Sequence, residues 1–369
     1  MDWTTTGYSY DVTVAVVHQT DVNNVLGILS GVQLSNMSIS ENYYSDSRVQ
    51  AKLTTMVDED DDDGYISNAR LRIIVSIPSR FWSKTLFTGY VSDIDTVIES
   101  GYCKKTYTLE GTIWGLLEHK VSSSVTIAKG ASLVKTWESL LKNQTKMQYS
   151  TSGSQDHLMG NTVVYEAGSN LSTILFELSS GYDRMDVDGS GVITLKKYTS
   201  PSNRTSSRII DYKDSLGLSI APLSAQDTAY EAPGRAIVTA TINEQDAKDS
   251  TKTVSKTIVG VYDAPSSHAT SINTRGWLRA RSDSYSGVSE TPTKAELDKL
   301  AKKNWEDNQS KGIEWTVKTV YADYHAGDVV DLVAPYISSG SKTYTHKVLI
   351  SAVETDLDTF TQNLTMKEV

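Results

Sequence analysis

Apolar and polar residues alternate along the first third of the chain, and a period of two residues predicts β-strands. Val12, Val14 and Val16 share one face of a predicted strand over residues 10–18. Further strands are predicted over residues 31–40, 49–57, 71–77, 84–97 and 104–114. The last two form a long predicted hairpin around Glu99-Ser100-Gly101-Tyr102. Five or six strands within about 110 residues are typical of a barrel or a sandwich.

The apolar period becomes helical between residue 130 and about residue 200. A first predicted helix carries Leu133, Trp137 and Leu140 on one face. A second apolar stripe over residues 171–178 predicts another helix. Residues 184–195 then alternate around a glycine-containing turn, which predicts a β-hairpin. This middle part is therefore expected to be α+β.

Strands return after about residue 205, with one helix between them. They are predicted over residues 236–242, 254–262, 313–321, 329–333 and 347–366, with a turn inside the last segment. Thr293-Lys294-Ala295-Glu296 is a capping box, in which two side chains satisfy backbone N–H groups at a helix start. A helix is therefore predicted near residues 293–308.

A short similarity connects the two strand-rich parts. Asp93-Ile94-Asp95-Thr96-Val97 resembles Asp356-Leu357-Asp358-Thr359-Phe360. A threonine-bearing strand follows each of them, at 107–110 and at 364–367, and a buried type of strand precedes each. If the similarity reflects a duplication, one chain carries two related β-barrels.

These patterns predict a β-rich α+β fold with two β-barrel domains. The expected domains are a first barrel over 1–125, an α+β middle domain over 126–205, and a second barrel over 206–369 with the helix near 293–308 inserted. The length of 369 residues agrees with two or three domains.

The amino-acid composition favours strands that expose one face to solvent. Serine and threonine together number 87, and tyrosine outnumbers phenylalanine 20 to 4. Threonine and tyrosine suit a pleated, half-exposed surface, and tyrosine hydroxyls also suit protein contact surfaces. The single cysteine, Cys103, excludes a disulfide within the chain. Because the longest aliphatic run near the start is only 14–17, neither a signal peptide nor stable membrane insertion is expected.

The charge balance argues against one class of function. The chain has 35 basic and 45 acidic side chains and a net charge of −10. Since nucleic-acid affinity depends on clustered lysine and arginine, a sequence-independent nucleic-acid binder is not expected.

An acidic run is the most conspicuous local motif. Asp58, Glu59, Asp60, Asp61, Asp62 and Asp63 stand in succession before Gly64. As a calcium loop the run fails, because Arg70 stands where the bidentate glutamate belongs. A solvated loop is the favoured interpretation, and such a loop could bind divalent ions weakly or repel DNA if it faced a channel. We therefore single it out as a candidate lumen or contact loop.

The remaining sequence offers little for catalysis. Residues 186–197 mimic an EF-hand loop, but Lys197 occupies the last ligand position, so a plain hairpin is favoured. Cys103 has no histidine near it in sequence, and the six histidines are isolated from one another. A G-x-S-x-G elbow and a glycine-rich phosphate loop are both missing. We predict no catalytic, cofactor-binding or metal-binding residue and no enzyme activity.

One family resembles this chain in its order of elements. Leu86-Phe87-Thr88-Gly89-Tyr90-Val91 followed by Tyr107-Thr108-Leu109-Glu110-Gly111 resembles the first β-domain of baseplate or tail-tip hub proteins of tailed bacteriophages. The helix and hairpin over 171–195 and Ala326-Gly327-Asp328-Val329-Val330 before the last strands are also similar. Hub parts of tail-associated lysins and of phage-like contractile bacteriocins belong to the same group.

The resemblance implies a structural role in the tail tip of a virion. Such hubs are homotrimers in which each chain contributes two tube-type β-barrels, so that three chains adapt a six-fold tail tube to a three-fold tip. The implied partners are further copies of the chain, the tail tube or distal tail protein, the tape-measure protein, and a separate spike, lysin or receptor-binding protein. DNA would only pass through the channel, and an acidic lumen would let it slide.

Two other classes stay open at the level of the sequence. The serine, threonine and tyrosine content and the seven tryptophans also suit a carbohydrate-binding or adhesive surface protein. A hydrolase acting on the bacterial cell wall is the third possibility.

Overall fold

The computed structural model describes residues 9–58, 66, 69–99, 101–180, 182–213, 223–227, 232–245, 253–268, 270–285, 292–307, 313–335 and 342–369. Strands dominate these residues, and helices are few and short. The predicted β-rich α+β class is therefore confirmed.

The first part of the chain is a sheet of antiparallel strands. Its strands are β1 (Asp11–His18), β2 (Val25–Ile28), β3 (Val32–Asn42), β4 (Val49–Asp58), β5 (Ala69–Ile77), β6 (Trp82–Glu99) and β7 (Tyr102–Gly111). They pair in the order β3-β4-β7-β6-β5-β1-β2. Alternation places Leu53, Leu71, Phe87 and Tyr107 in one core, where their burial stabilises the sheet. The strands predicted here are confirmed, and the short β2 was not predicted because it lacks alternation.

The middle segment packs helices against small sheets. It contains α1 (Trp114–Glu118), β8 (Val125–Ile127), α2 (Leu133–Gln144), β9 (Tyr149–Ser150), β10 (Val163–Tyr165), α3 (Leu171–Ser179), β11 (Asp183–Val187) and β12 (Ile193–Lys197). Both predicted helices are confirmed, because their apolar stripes share a core that includes Trp137 and Ile174. The predicted hairpin is confirmed as well, with Met185 opposite Leu195 across β11 and β12.

The last part returns to the large sheet after an insertion. It contains β13 (Ile209–Asp211), β14 (Ser224–Asp227), β15 (Arg235–Gln245), β16 (Thr253–Asp263), α4 (Ile272–Arg275), β17 (Ala280–Ser284), α5 (Lys294–Asp307), β18 (Ile313–Val320), β19 (Val329–Pro335), β20 (Thr343–Asp356) and β21 (Thr361–Glu368). Strands β14, β18, β21 and β20 continue the large sheet, and β19 and β13 extend it from β20. Trp315, Val330, Ile350 and Leu364 fill the core under these strands.

The strands predicted over 236–242 and 254–262 do not join the large sheet. They correspond to β15 and β16, which form a separate sheet with β17, and α5 packs on that sheet through Leu297 and Ala301. Gly260 permits the contact, because a Cβ there would lie 2.2 Å from the backbone carbon of Leu297. Alternation predicts that a segment is a strand but not which sheet receives it, so the insertion is larger than the single predicted helix.

The predicted capping box at the start of α5 is confirmed. The Thr293 N–H donates to the Glu296 carboxylate at 2.7 Å, and the Glu296 N–H donates to the Thr293 hydroxyl at 3.2 Å. Two N–H groups that lack a partner within the helix are thereby satisfied.

The two predicted barrels are not found as closed structures in the described part of the chain. The strand path of the large sheet is open, from β14 at one end to β2 at the other. Two closed barrels would require β3 to pair with β1 or β2, and β14 to pair with β13, and neither pairing occurs among the described strands. Among the same described residues, no helix is both long and apolar enough to cross a membrane.

Candidate functional site

The large sheet contains one six-stranded arrangement twice. The first unit comprises β1, β3, β4, β5, β6 and β7, in the spatial order β3-β4-β7-β6-β5-β1. The second unit comprises β13, β14, β18, β19, β20 and β21, in the spatial order β14-β18-β21-β20-β19-β13. Strands at the same position in the two units also follow the same order along the chain. Only the short β13 differs in direction, because it is parallel to its neighbour β19. Matching connectivity of this kind supports the predicted duplication.

A β-bulge fixes the register of the duplication. Pairing shifts by one residue at Ser92 in β6 and at Ser351 in β20. Each serine hydroxyl donates to a backbone carbonyl of the neighbouring strand at 3.1 Å, to Thr108 in the first unit and to Thr365 in the second. Residues 91–96 and 350–355 are therefore equivalent, because a bulge sets the phase of all residues that follow it.

The predicted repeat is correct for one pair of segments and wrong for the other. Residues 107–110 of β7 and 364–367 of β21 do occupy the same place in their units. Residues 93–97 lie inside β6, whereas 356–360 leave β20 and form the turn before β21. The Asp356 carboxylate accepts hydrogen bonds from two N–H groups of that turn, which gives the aspartate a local role that Asp93 does not have.

The two units are joined edge to edge within the chain. β19 pairs with β20 only as far as Leu349, and over residues 352–356 the same edge of β20 pairs with β3. Leu357, just after β20, is fully buried in the core of the first unit. Phe360 stacks on Tyr321 with ring centroids 4.4 Å apart. The joint therefore combines backbone hydrogen bonds with apolar burial.

A charged network crosses this joint. Lys84 Nζ of the first unit lies 2.5 Å from Asp323 Oδ1 of the second. His325 Nε2 lies 3.2 Å from the same oxygen, and His325 Nδ1 lies 2.9 Å from Glu41 Oε1. The first unit thus supplies a cation to the Asp323 carboxylate of the second unit. It also supplies a carboxylate to His325 of the second unit, so each unit provides a counter-ion for the other.

The network shifts the pKa values of its members. Burial alone would lower the pKa of His325, but the carboxylates of Asp323 and Glu41 outweigh it and raise the pKa to about 10. Burial alone would raise the pKa of Asp323, but hydrogen bonds from His325, Lys84 and Tyr321 hold that pKa well below its ordinary value. The folded chain therefore favours the charged forms of both groups.

Stability is expected to fall as pH rises through the alkaline range. The unfolded chain releases the His325 proton near pH 6.5, whereas the folded chain holds it up to about pH 10, so His325 stabilises the fold fully below pH 6.5 and less at each higher pH. Thermal unfolding followed by circular dichroism across this range measures the effect. In His325→Gln the decline should be shallower, and an unchanged slope would contradict the assigned ion pairs.

Tyr43 joins both units to the middle segment. The Arg184 guanidinium of β11 lies 3.5 Å from the centre of the Tyr43 ring, and Arg204 approaches the ring at 5.6 Å. Arg204 also donates to the Tyr43 hydroxyl at 2.9 Å and to the Gly327 carbonyl at 2.9 Å. Arg48 and Arg184 each donate to the Tyr43 carbonyl at 2.7 Å. One buried residue, through its ring, hydroxyl and backbone carbonyl, thus holds three separate parts of the sequence together.

One face of the joined sheet is exposed to solvent and carries more carboxylates than lysines, and we call it the wet face. Eight neighbouring strands, β14-β18-β21-β20-β3-β4-β7-β6, turn their other face to the two cores. Directly opposed residues share a face, so the pairing assigns the charged side chains of the wet face. Among the described side chains they are seven carboxylates, Asp58, Asp93, Asp95, Glu110, Glu314, Glu354 and Asp356, and five lysines, Lys52, Lys104, Lys318, Lys347 and Lys367.

The candidate loop from the sequence is only partly described. Asp58 ends β4 on the wet face, opposite Tyr102, and residues 59–63 lie outside the described residues. Cys103 is buried at the start of β7. Within the described ranges, no group of three or more histidine, cysteine, aspartate or glutamate side chains could hold a metal ion.

Comparison with known proteins gives matches in structure alone. No protein-family model matches the sequence, and no curated protein matches it. The tail protein of Neisseria meningitidis MC58 superposes with a TM-score of 0.65 at 13% identity, covering 98% of this chain and 97% of that one. The 43 kDa tail protein of prophage MuSo2 from Shewanella oneidensis superposes with a TM-score of 0.66 at 10% identity, covering 98% of both chains.

A secretion-system protein shares the same architecture. The E. coli c3393 protein, a component of the type VI secretion system that is structurally similar to bacteriophage T4 tail proteins, superposes with a TM-score of 0.51 at 9% identity. The match covers 98% of this chain and 77% of that one. The predicted resemblance is thus confirmed at the level of the fold, which this chain shares with phage tail proteins, with this secretion-system component and with a chain of a PdpA–VgrG complex.

Proposed function

We propose that this chain is a structural hub of a phage tail tip or baseplate, in which three copies form a ring around the DNA channel. The observation that carries the proposal is the duplicated sheet unit, joined edge to edge by β3 and β20. One chain supplies two equivalent units, so three chains supply six and can match a six-fold tail tube on one side and a three-fold tip on the other. The division into domains at 1–125, 126–205 and 206–369 belongs to the same proposal.

The wet face of the sheet is the part that we assign to the channel. Among its described side chains, carboxylates outnumber lysines seven to five. A surface with excess negative charge repels DNA phosphates, so DNA passes without adhering. The tail tube or distal tail protein, the tape-measure protein and a separate spike, lysin or receptor-binding protein are the proposed partners within the virion.

A structural role agrees with the fold and requires no catalysis. The superposed proteins are tail proteins and a secretion-system component. Cell-wall cleavage or glycan binding by this chain would be detected by a zymogram on host cell walls or by a glycan array, and either activity would count against a purely structural role.

Light scattering and electron microscopy of the full chain test the ring. The expected species has three times the 40.5 kDa mass of the chain, and its images show three-fold symmetry around a hole. A monomer at every concentration, with and without the tail tube protein, would overturn the proposal.

Reversing charge on the wet face is expected to slow DNA ejection several-fold. The double variant Asp93→Lys/Glu354→Lys places lysines at two exposed positions of this face, where they attract passing phosphates. Glu118→Lys/Glu166→Lys makes the same net change on the exposed surface of the middle segment and serves as the control. Ejection is timed by dye uptake of released DNA from assembled particles, and equal rates for the two variants would remove this face from the channel.

A further inference from the structure

The two units differ at one edge. In the second unit, the edge of β20 beyond the bulge is paired, because β3 occupies it over residues 352–356. In the first unit, β5 pairs with β6 only as far as Tyr90. Among the strands that the structure describes, none pairs with this edge of β6 beyond the bulge at Ser92. Within the described part of the chain, the equivalent stretch therefore offers free backbone N–H and C=O groups.

The same stretch also exposes apolar side chains. The bulge makes Ile94 equivalent to Val353 and Ile98 equivalent to Leu357. Val353 is 2% exposed in the core of the second unit, and Leu357 is 0% exposed in the core of the first, whereas Ile94 and Ile98 are 40% and 60% exposed. A long apolar strand edge left uncovered promotes association with another strand.

The chain also carries the strand that fits this edge. β14 occupies in the second unit the place of β3 in the first, since β14 pairs with β18 as β3 pairs with β4. The outer edge of β3 pairs with β20. β14 is the end strand of the large sheet, and no strand among the described residues pairs with its outer edge. The free edge of β6 and the free edge of β14 lie in different units of one chain. A second copy can therefore bring them together.

We propose that β14 of one copy adds to the edge of β6 in the next copy, in the register that joins β3 to β20 within each chain. This proposal rests on the proposed ring and specifies its contact. Within the chain Ser40 faces Glu354, so the equivalent pair between copies is Gln226 with Asp95. Because the contact uses two different surfaces, it is head-to-tail, and three such contacts close a ring.

Disulfide cross-linking of the full chain tests the register. In a Cys103→Ala background, Asp95→Cys/Gln226→Cys places two exposed side chains directly opposite each other, and opposed Cα atoms about 4.5–5.5 Å apart permit a disulfide. The matched control Thr96→Cys/Gln226→Cys shifts the register by one residue and turns the two thiols to opposite faces. Glu354→Cys/Ser40→Cys reproduces the contact within one chain and reports that oxidation is efficient.

Oxidation of the Asp95→Cys/Gln226→Cys variant is expected to give covalent dimers and trimers on a non-reducing gel, while the register-shifted control stays a single chain. If light scattering shows trimers but this pair stays unlinked, or if the control links equally well, the strand pairing is wrong and the ring stands. If the chain stays monomeric at every concentration and with the tail tube protein, the ring itself fails, and the pairing with it.

An independent variant avoids any question of disulfide geometry. Ile98→Lys changes a side chain that is 60% exposed in the single chain, so thermal unfolding of the monomer should be unchanged. Trimer formation should be lost, because the lysine would have to be buried against the neighbouring copy. Trimers of normal stability in this variant would overturn the proposed contact.

Discussion

Truncation of Leu357 to alanine is expected to lower the free energy of unfolding by about 2–5 kcal/mol, the range found for fully buried leucines. The side chain is 0% exposed and lies in the core of the first unit, although its own strand belongs to the second. The lost packing therefore weakens the joint between the units as well as the core. Urea unfolding of the monomeric chain, followed by circular dichroism, measures the change.

The duplication supplies a matched control for this prediction. Ile98 occupies the place of Leu357 in the other unit but is 60% exposed, so Ile98→Ala should change the stability of the monomer by less than about 0.5 kcal/mol. The same truncation at two equivalent positions thus separates a contact made within the chain from one made only between chains. Similar losses for both variants would show that Ile98 is also buried within the single chain and would contradict the exposed strand edge.

Alternation of apolar and polar residues was sufficient to predict most strands of the large sheet. β4 is an example, because Ala51, Leu53 and Val57 on one side are buried while Gln50 and Lys52 on the other are exposed. This signal is local, since each strand buries one face whatever its neighbours are. It does not identify partners, which explains why the separate sheet of β15 and β16 was not predicted.

The candidate site was predictable only where it follows from that local pattern. The wet face arises from the polar positions of the alternating strands, and the composition predicts such a face without locating its charges. The network across the joint was missed, because Glu41 and His325 stand 284 residues apart and neither belongs to a motif. The repeat was recognised, but only the bulges at Ser92 and Ser351 gave its register, and a bulge leaves no clear mark in the sequence.

Truncation of Tyr43 to alanine is expected to lower the free energy of unfolding by about 3–5 kcal/mol, as for other large buried aromatic side chains. Tyr43 is 2% exposed, and its ring lies against the guanidinium of Arg184 and the backbone of Gly327. Alanine keeps the backbone carbonyl that Arg48 and Arg184 bind, so the loss reports the ring and its hydroxyl. Urea unfolding gives the magnitude, and limited proteolysis should cleave the middle segment faster.

Two milder variants separate the contributions of the ring and the hydroxyl. Tyr43→Phe keeps the ring beside Arg184 and removes only the hydrogen bond from Arg204, so it should cost about 1–3 kcal/mol. In a double-mutant cycle, Arg184→Met should then lower stability less in Tyr43→Ala than in the original chain, because the ring contact is gone and the hydrogen bond to the backbone carbonyl remains to be lost. Additive losses would show that Tyr43 and Arg184 stabilise the joint independently. Coupled losses would mean that one aromatic ring holds the middle segment to both sheet units.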